Sequence, residues 1–137
     1  MMLMTDGTGT ATLAAPDGDY IVAVHHRNGL LTVSASTVNF TGGVGSYDFT
    51  TGDAQAYPGS MGQADLLDGS YGMYSGDLNQ DNFIGGDDVG IVDNDNLAGL
   101  FFDYLTTDIN GDGFVGGDDV GIVDNNNLAG IFILPPW

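Results

Sequence analysis

An internal repeat is the feature of this sequence that most restricts the folds open to it. Residues 77–100 read DLNQDNFIGGDDVGIVDNDNLAGL, and residues 108–131 read DINGDGFVGGDDVGIVDNNNLAGI. The two segments begin 31 residues apart and are identical at 18 of 24 positions, which indicates a duplication rather than a coincidence of composition. We therefore expect two copies of one structural unit in this half of the chain.

The composition changes where the first copy begins. The sequence upstream is rich in Thr, Ser and Tyr, whereas the sequence downstream is rich in Asp, Asn and Gly. Such a change is typical of a domain boundary. We place it near Ser75 and Gly76, with a β domain at 1–75 and the repeats, together with an apolar C-terminal tail, at 76–137.

The charge balance excludes several kinds of partner. The 137 residues include 19 acidic residues, all of them Asp, and a single base, Arg27, so the net charge is −18. Nucleic acid is not expected as a partner, because phosphate binding needs clustered Lys and Arg. A hydrophobic content of 42% argues against disorder. No apolar stretch approaches the roughly 20 residues that cross a bilayer, so membrane insertion is not expected either.

The upstream segment has the pattern of short antiparallel strands. Residues 20–26 and 30–36 are rich in β-branched side chains and flank Asn28-Gly29, which is a strong hairpin signal. Turn residues separate four further candidate strands, at 8–14, 44–50, 61–67 and 71–74. The predicted fold class is β plus a small α part, with an antiparallel β sandwich or barrel followed by a pair of loop-helix repeats.

Each repeat opens with oxygen-bearing residues at the offsets of an EF-hand loop. Numbered from the first Asp, side chains at positions 1, 3, 5 and 12 and the backbone carbonyl at position 7 are the candidate ligands. In the first loop they are Asp77, Asn79, Asp81, Phe83 and Asp88. In the second loop they are Asp108, Asn110, Asp112, Phe114 and Asp119.

This ligand set predicts two calcium ions per chain. Calcium takes six to eight oxygen ligands at about 2.3–2.6 Å, and alternate positions of a tight loop can converge on one ion. Flexible multidentate loops suit this ion better than magnesium. Gly113 and Asn82 at position 6 tolerate the left-handed turn that such a loop needs. Ile84 and Val115 at position 8 are expected to pair the loops or to attach them to the core.

A helix is predicted after each loop. The acids at 87–88 and 118–119 lie where negative charge favours a helix start, and Gly99 and Gly130 are expected to end the helices. The polar runs 93–96 and 124–127 either cap the helix ends or add a further cation site. An apolar stripe is predicted on each helix, formed by Val89, Val92 and Leu97 and by Val120, Val123 and Leu128.

These motifs resemble a known family. Residues 77–131, about 40% of the chain, look like a tandem of dockerin type I repeats: D-x-N-x-D-[GN]-x-[IV]-x-x-x-D followed by a helix, twice. The resemblance implies calcium binding by the side chains of Asp77, Asn79, Asp81 and Asp88 and of Asp108, Asn110, Asp112 and Asp119. Dockerins of cellulosomes contact cohesin through a small hydroxyl pair at loop positions 10 and 11, where this chain has Gly86-Asp87 and Gly117-Asp118. The upstream phrases YIVAVHHRN and SYDFTTGDAQAYPG resemble C-terminal modules of large bacterial surface proteins, which implies an extracellular or cell-surface location.

No pattern of a catalytic site accompanies the calcium loops. The cluster His25-His26-Arg27 has neither Cys nor Glu beside it, and strand alternation directs the two imidazoles to opposite faces. We interpret it as structural, with Arg27 pairing with a local Asp. The protein is therefore not expected to be an enzyme. Asn39-Phe40-Thr41 is a glycosylation sequon, which makes Asn39 the candidate for a glycan.

The C-terminal tail leads to two functional hypotheses. Residues 131–134 form an apolar run that ends before Pro135, and this run either folds back onto its own domain or serves another subunit. In the second case a tail that enters the β domain of the next copy produces a filament or surface layer. The alternative is a monomeric docking module that tethers a larger protein to a protein receptor.

Overall fold

The computed structural model of the chain describes residues 2–3, 9–12, 14–57, 61–101 and 104–137. The described residues form eight short strands, one 3-10 turn and two helices. The elements, in chain order, are β1 (Met2–Leu3), β2 (Gly9–Thr10), β3 (Gly18–Tyr20), β4 (Ala23–Val24), β5 (Thr32–Val33), β6 (Val38–Phe40), the 3-10 turn (Asp53–Gln55), β7 (Ala64–Asp65), β8 (Tyr71–Gly72), α1 (Gly86–Ala98) and α2 (Gly117–Ala129).

The strands form four separate two-stranded antiparallel sheets. They pair β1 with β2, β3 with β6, β4 with β5, and β7 with β8. The fold is thus antiparallel β plus a small α part, as the strand pattern and the repeats predict. The described residues do not close into a barrel, because no sheet in that part of the chain has more than two strands.

The predicted hairpin exists, but its strands and turn differ from the prediction. Ala23 pairs with Val33, and Val24 pairs with Thr32, so the connection spans residues 25–31. A two-residue Asn28-Gly29 turn was the wrong expectation. Both residues take part in distant contacts instead: Gly29 forms a bridge with Ser75, and the Asn28 side chain is only 2% exposed. Tertiary contacts therefore override the local turn signal.

The other predicted strands are shortened or absent. The strands β2, β7 and β8 lie within the predicted segments 8–14, 61–67 and 71–74, of which Thr8 and Leu13 lie outside the described residues. The predicted strand at 44–50 is reduced to a single bridge between Val44 and Thr41. The strand β6, which the sequence pattern did not indicate, pairs with β3 instead.

The two sides of the predicted boundary share one hydrophobic core. Leu30, Leu31 and Val33 come from the upstream segment. The members from the downstream segment are Ile84, Val92, Val115, Val123 and Ile131 of the repeats and Ile133 of the tail. The boundary predicted at Ser75 and Gly76 accordingly separates two regions of sequence whose apolar side chains are buried together.

The helices end where glycine was predicted to end them. Gly99 and Gly130 adopt the left-handed conformation, with φ of 66° and 67°. Val92 and Val123 are fully buried, but Leu97 is 78% exposed and Leu128 is 77% exposed. Placing these two leucines in the apolar stripe was therefore wrong. Five residues along a helix turn the side chain direction by about 140°, which carries each leucine away from the buried valine.

The two repeats are linked by exchanged backbone contacts. Phe83 of the first loop forms a bridge with Phe132, which follows α2, and Phe114 of the second loop forms a bridge with Phe101, which follows α1. Equivalent backbone hydrogen bonds, both 3.0 Å long, run from Ile84 N to Ile131 O and from Val115 N to Leu100 O. Each loop is thus held by the chain that follows the helix of the other repeat.

The beginning of the C-terminal tail packs on its own chain. Ile131 and Ile133 are 3% and 2% exposed, and Ile133 N donates to Asn82 O of the first loop at 2.9 Å. Of the two alternatives for the tail, the structure places Ile131 and Ile133 in the core of the same chain. Leu134 and Trp137 remain exposed.

No helix in the described part of the chain is long and apolar enough to cross a membrane.

Candidate metal centre

Left-handed backbone at two positions bends each loop. Asn82 and Gly113 at position 6 have φ of 74° and 86°, which confirms the expectation for that position. Gln80 and Gly111 at position 4 have φ of 62° and 79°, which the sequence did not indicate. Two residues of this kind within three positions turn the chain tightly, so that the side chains at alternating positions fold back on the loop backbone.

The side chains at positions 3 and 5 accept hydrogen bonds from the backbone two residues further on. Asn79 Oδ1 accepts from Asp81 N, and Asp81 Oδ1 accepts from Phe83 N, both at 2.9 Å. The second loop repeats this pair of contacts, also at 2.9 Å, with Asn110 and Asp112 as acceptors. These contacts are Asx turns, which stabilise the tight course of both loops.

The first aspartate of each loop is buried beneath the turn. Asp77 is 2% exposed, and its two oxygens accept from Asp81 N at 3.1 Å and Asn82 N at 3.2 Å. Asp108 is 6% exposed and accepts from Gly111 N at 2.8 Å and Gly113 N at 3.0 Å. Each carboxylate oxygen has more than one lone pair, so these contacts leave acceptor capacity for a cation.

The twelfth residue of each loop closes it from the helix side. Asp88 is fully buried and accepts from three backbone groups: Leu78 N at 2.7 Å, Asn79 N at 3.1 Å and Gly85 N at 2.8 Å. Asp119 is equally buried and makes the matching contacts. They come from Ile109 N at 2.7 Å, Asn110 N at 3.1 Å and Gly116 N at 2.8 Å. One side chain therefore joins the two ends of each loop and caps the start of the following helix.

The electrostatics of the first loop favour a cation. Burial raises the pKa of the Asp77 carboxyl above its ordinary value; the hydrogen bond from Asn82 N opposes this effect, and the charges of Asp88 and Asp81 add to it. Burial and like charge both disfavour the ionised carboxylate. A bound divalent cation would relieve both effects at once.

The carboxylates of the two loops do not form a compact group of metal ligands in the described residues. Among the described residues, no three side chains of Asp, Glu, His or Cys are grouped closely enough to hold a metal ion as they stand. In the first loop Asp81 Oδ2 accepts from Asn79 Nδ2 at 3.1 Å, an interaction that turns this oxygen toward its neighbour.

Two acidic residues at position 11 are closer to the loops than the sequence suggested. Asp87 and Asp118 were interpreted only as favourable charges at the helix starts. In the structure Asn79 Nδ2 donates to Asp87 Oδ2 at 2.6 Å, and Asn110 Nδ2 donates to Asp118 Oδ2 at 2.8 Å. The sequence signal that could have indicated this contact is the Gly-Gly-Asp-Asp run in both repeats. Its first glycine, Gly85 or Gly116 at position 9, leaves room for the carboxylate at position 11.

Two residues of the β segment, Arg27 and Asn28, contact the residues at the start of the second loop. The Arg27 guanidinium lies 4.0 Å from the centre of the Tyr104 ring and donates to Leu105 O and, at 3.4 Å, to Asp108 O. Asn28 Nδ2 donates to Thr106 O at 3.1 Å. Arg27 is thus structural, but backbone carbonyls and a ring surround it rather than the carboxylate that we expected.

The polar runs near the helix ends hold connecting segments. Asp95 accepts from Thr107 Oγ1, and Asn126 Nδ2 donates to Ser75 O, both at 2.7 Å. A further cation site in these runs stays a prediction. Asn39 of the sequon lies exposed on β6, where its Nδ2 donates to Asp19 Oδ1 at 2.8 Å. A glycan there also stays a prediction.

Comparison with family models, with curated proteins and with solved structures found no match to this chain. The resemblance to dockerin repeats therefore rests on the residues of the two loops.

Proposed function

We propose that this protein is a calcium-binding structural module of an extracellular or cell-surface protein, built on a pair of dockerin-like repeats. The observation that carries the proposal is the occurrence, twice in one chain, of the same arrangement of buried aspartates around a tight loop. Four carboxylates, those of Asp77, Asp88, Asp108 and Asp119, are at most 6% exposed. Aspartate is rarely buried in this way unless it is paired or bound to metal.

Calcium suits these loops because all their candidate ligands are oxygens and because the loops can adjust. Carboxylates, an amide oxygen and a backbone carbonyl are the donors that this hard cation takes. Extracellular modules bind calcium with dissociation constants of about 10⁻⁴–10⁻³ M, which matches the calcium-rich exterior of a cell. The ion would offset the repulsion between three carboxylates per loop and stabilise the folded state by mass action.

The role that we propose is mechanical rather than catalytic. Each loop is attached to the other repeat, and both are attached to the β segment: the second loop through Arg27 and Asn28, and the first through Gln80, whose Nε2 donates to His26 O at 2.9 Å. Ions bound in both loops would therefore rigidify the helix pair and its junction with the upstream segment. Packing of the small sheets as a β sandwich is part of this proposal.

A monomeric docking module is the form that the tail favours. Because Ile131 and Ile133 are buried in their own chain, donating them to another copy would first require their release. Head-to-tail self-assembly into a filament is the second candidate. Leu134 and Trp137, which are 65% and 72% exposed after the buried part of the tail, favour it by offering an apolar contact to a second copy.

Calorimetric titration of the metal-free protein with calcium is expected to give two bound ions per chain. The physical reason is that two loops present the same ligand set. Magnesium titration under the same conditions is the control, and we expect it to bind more weakly because it prefers a rigid octahedral shell. A stoichiometry of zero or one calcium would contradict the two-site proposal.

Sedimentation velocity of the same samples separates the two forms of the proposal. We expect a monomer with and without calcium if the tail stays in its own core. Calcium-dependent growth into polymers that is lost in a Leu134→Asp, Trp137→Ser variant would favour self-assembly instead.

A further inference from the structure

The chain contains two Asn-Gly pairs, Asn28-Gly29 and Asn110-Gly111. An asparagine followed by glycine loses its side-chain amide more readily than other asparagines do. The backbone nitrogen of the glycine attacks Cγ of the asparagine, and glycine has no side chain that would hinder this approach. The fold gives the two pairs different access to the reaction.

The first pair is held by tertiary contacts. Asn28 is 2% exposed, its Nδ2 donates to Thr106 O at 3.1 Å, and its Oδ1 lies 2.8 Å from His26 Nδ1. Gly29 forms an antiparallel bridge with Ser75. Attack of Gly29 N on the Asn28 side chain would break several of these contacts, so this pair reacts only when the fold opens.

The second pair lies exposed in the second loop. Asp112 N donates to Asn110 Oδ1 at 2.9 Å, and this hydrogen bond polarises the side-chain carbonyl that the nitrogen would attack. In the opposite direction, Gly111 N donates to Asp108 Oδ1 at 2.8 Å, and a nitrogen whose hydrogen is held by a carboxylate is a poor nucleophile. Contacts in an exposed loop open locally at a low cost in free energy, so this hydrogen bond slows the attack without preventing it.

The first loop has glutamine where the second has glycine. Gln80 and Gly111 both have left-handed backbone, with φ of 62° and 79°. A Cβ atom at Gly111 would meet no atom within 4 Å. The loop shape therefore accepts either residue, and the two loops differ in the residue that decides how reactive the preceding asparagine is.

We propose that Asn110 is a site of spontaneous deamidation and that the carboxylate of Asp108 slows the reaction. Gly111 N forms a bond to Cγ of Asn110, and Nδ2 leaves as ammonia with the hydrogen that Gly111 N gives up. One water molecule then opens the cyclic imide, either at the new bond to Cγ, which gives aspartate, or at the original peptide bond, which gives isoaspartate. The sum consumes one water and releases one ammonia, with no change of oxidation state. The inference goes beyond the proposed function and does not rest on calcium binding.

The reaction would change the contacts of the second loop only. Asn110 Nδ2 now donates to Asp118 Oδ2 at 2.8 Å and to Asp112 Oδ2 at 3.3 Å. A carboxylate in place of this amide would repel both neighbours, because like charges at short range disfavour each other. The isoaspartate product also lengthens the backbone by one methylene. Modification of Asn110 thus loosens the second loop and leaves the first loop as it is.

The test incubates the full chain in neutral buffer with chelator and follows its chymotryptic peptides by mass spectrometry. Cleavage after Leu105 and Phe114 releases peptide 106–114, in which Asn110 is the only asparagine. In the folded wild type this peptide is expected to convert to the aspartate and isoaspartate forms, while Asn79 and Asn28 keep their amides. In urea Asn28 should convert as well, because its protection comes from the fold.

A matched pair of substitutions exchanges the residue at loop position 4. Gly111→Gln should abolish the conversion of Asn110, and Gln80→Gly should make Asn79 reactive. Conversion of Asn110 at the wild-type rate in Gly111→Gln would overturn the proposed site, and so would a wild type in which Asn110 keeps its amide. If Asn28 converted together with Asn110 in the folded wild type, opening of the whole fold would control both pairs and the inference would be wrong.

The role of Asp108 has its own variants. Asp108→Ala frees Gly111 N and should accelerate the conversion about 10-fold or more, the factor that corresponds to roughly 1.4 kcal/mol or more for a hydrogen bond to a charged acceptor. Asp77→Ala removes the equivalent carboxylate of the first loop and should leave the rate at Asn110 unchanged. An unconverted Asn28 shows that each variant is still folded.

Asp108→Asn keeps the size of the side chain and offers a neutral oxygen, so its rate should lie between those of the wild type and Asp108→Ala. This variant decides the question if Asp108→Ala opens the fold. A rate in Asp108→Asn at or below that of the wild type would overturn the slowing role of Asp108. A wild type that binds no calcium would refute the proposed function and leave this inference standing.

Discussion

Asp88→Ala is expected to lower the free energy of unfolding of the metal-free protein by about 3 kcal/mol or more. The substitution leaves three backbone N–H groups, those of Leu78, Asn79 and Gly85, without the acceptor that now holds them. A buried donor left without a partner costs about 1–3 kcal/mol. This cost exceeds what is gained by removing one buried charge, because that charge already receives three hydrogen bonds. The measurement is urea unfolding in the presence of chelator.

The same variant should also lose one calcium ion. Asp88 is the twelfth residue of the first loop, so calorimetry should give one ion per chain instead of two. Asp119→Ala is the matched variant for the second loop and should have the same effect on the other ion. Asp93→Ala, which alters an exposed acid of the same helix, should change stability by no more than about 0.5 kcal/mol. An Asp88→Ala protein with wild-type stability and two bound ions would contradict the loop geometry described here.

The loops and the helix ends were predictable because their determinants are local. Ligand spacing, the left-handed turn at Asn82 and Gly113, and the glycines after α1 and α2 are set within a few residues of each other. Local signals of this kind do not depend on tertiary contacts with distant parts of the chain. The predicted ligands accordingly lie within two bent loops, although binding of an ion to them stays a prediction.

Features that depend on distant contacts could not be predicted in the same way. The Asn28-Gly29 turn signal is overridden because Asn28 bonds to Thr106 and Gly29 to Ser75. Leu97 was placed in the apolar stripe from its residue type, although its helical angle directs it to solvent. The contact between Asp87 and Asn79 depends on the direction of the Asp87 side chain, which cannot be predicted from the spacing of acidic residues along the sequence.

The exchange of segments between the repeats is the least predictable feature. Two closely similar repeats suggest two self-contained units, whereas each loop pairs with the chain after the helix of the other repeat. Sequence similarity between the copies indicates that they share a structure, but it does not indicate whether a loop pairs with the segment that follows its own helix or with the segment that follows the other helix. The exchange makes the first loop dependent on the end of the chain.

Ile131→Ala is therefore expected to weaken calcium binding at the first loop, although Ile131 follows the second helix in sequence. Ile131 is 3% exposed, and its carbonyl accepts from Ile84 N at 3.0 Å. Truncating a buried isoleucine costs about 2–5 kcal/mol, so urea unfolding should show a loss in this range. The loss should loosen position 8 of the first loop and leave the second loop closer to its wild-type affinity.

Leu100→Ala is the matched variant, because Leu100 O accepts from Val115 N of the second loop at the same distance of 3.0 Å. Its effect should be the reverse, with the second loop weakened more than the first. Leu134→Ala changes an exposed side chain of the tail and should leave both affinities and the stability near wild type.

The two sites can be told apart by repeating each titration in an Asp88→Ala or Asp119→Ala background, in which only one loop is expected to bind calcium. If Ile131→Ala weakened the second loop instead, each repeat would be completed by its own following segment and the exchanged arrangement would be wrong. That arrangement also bears on assembly, because an ion bound in the first loop as we propose would hold the tail more firmly in its own chain.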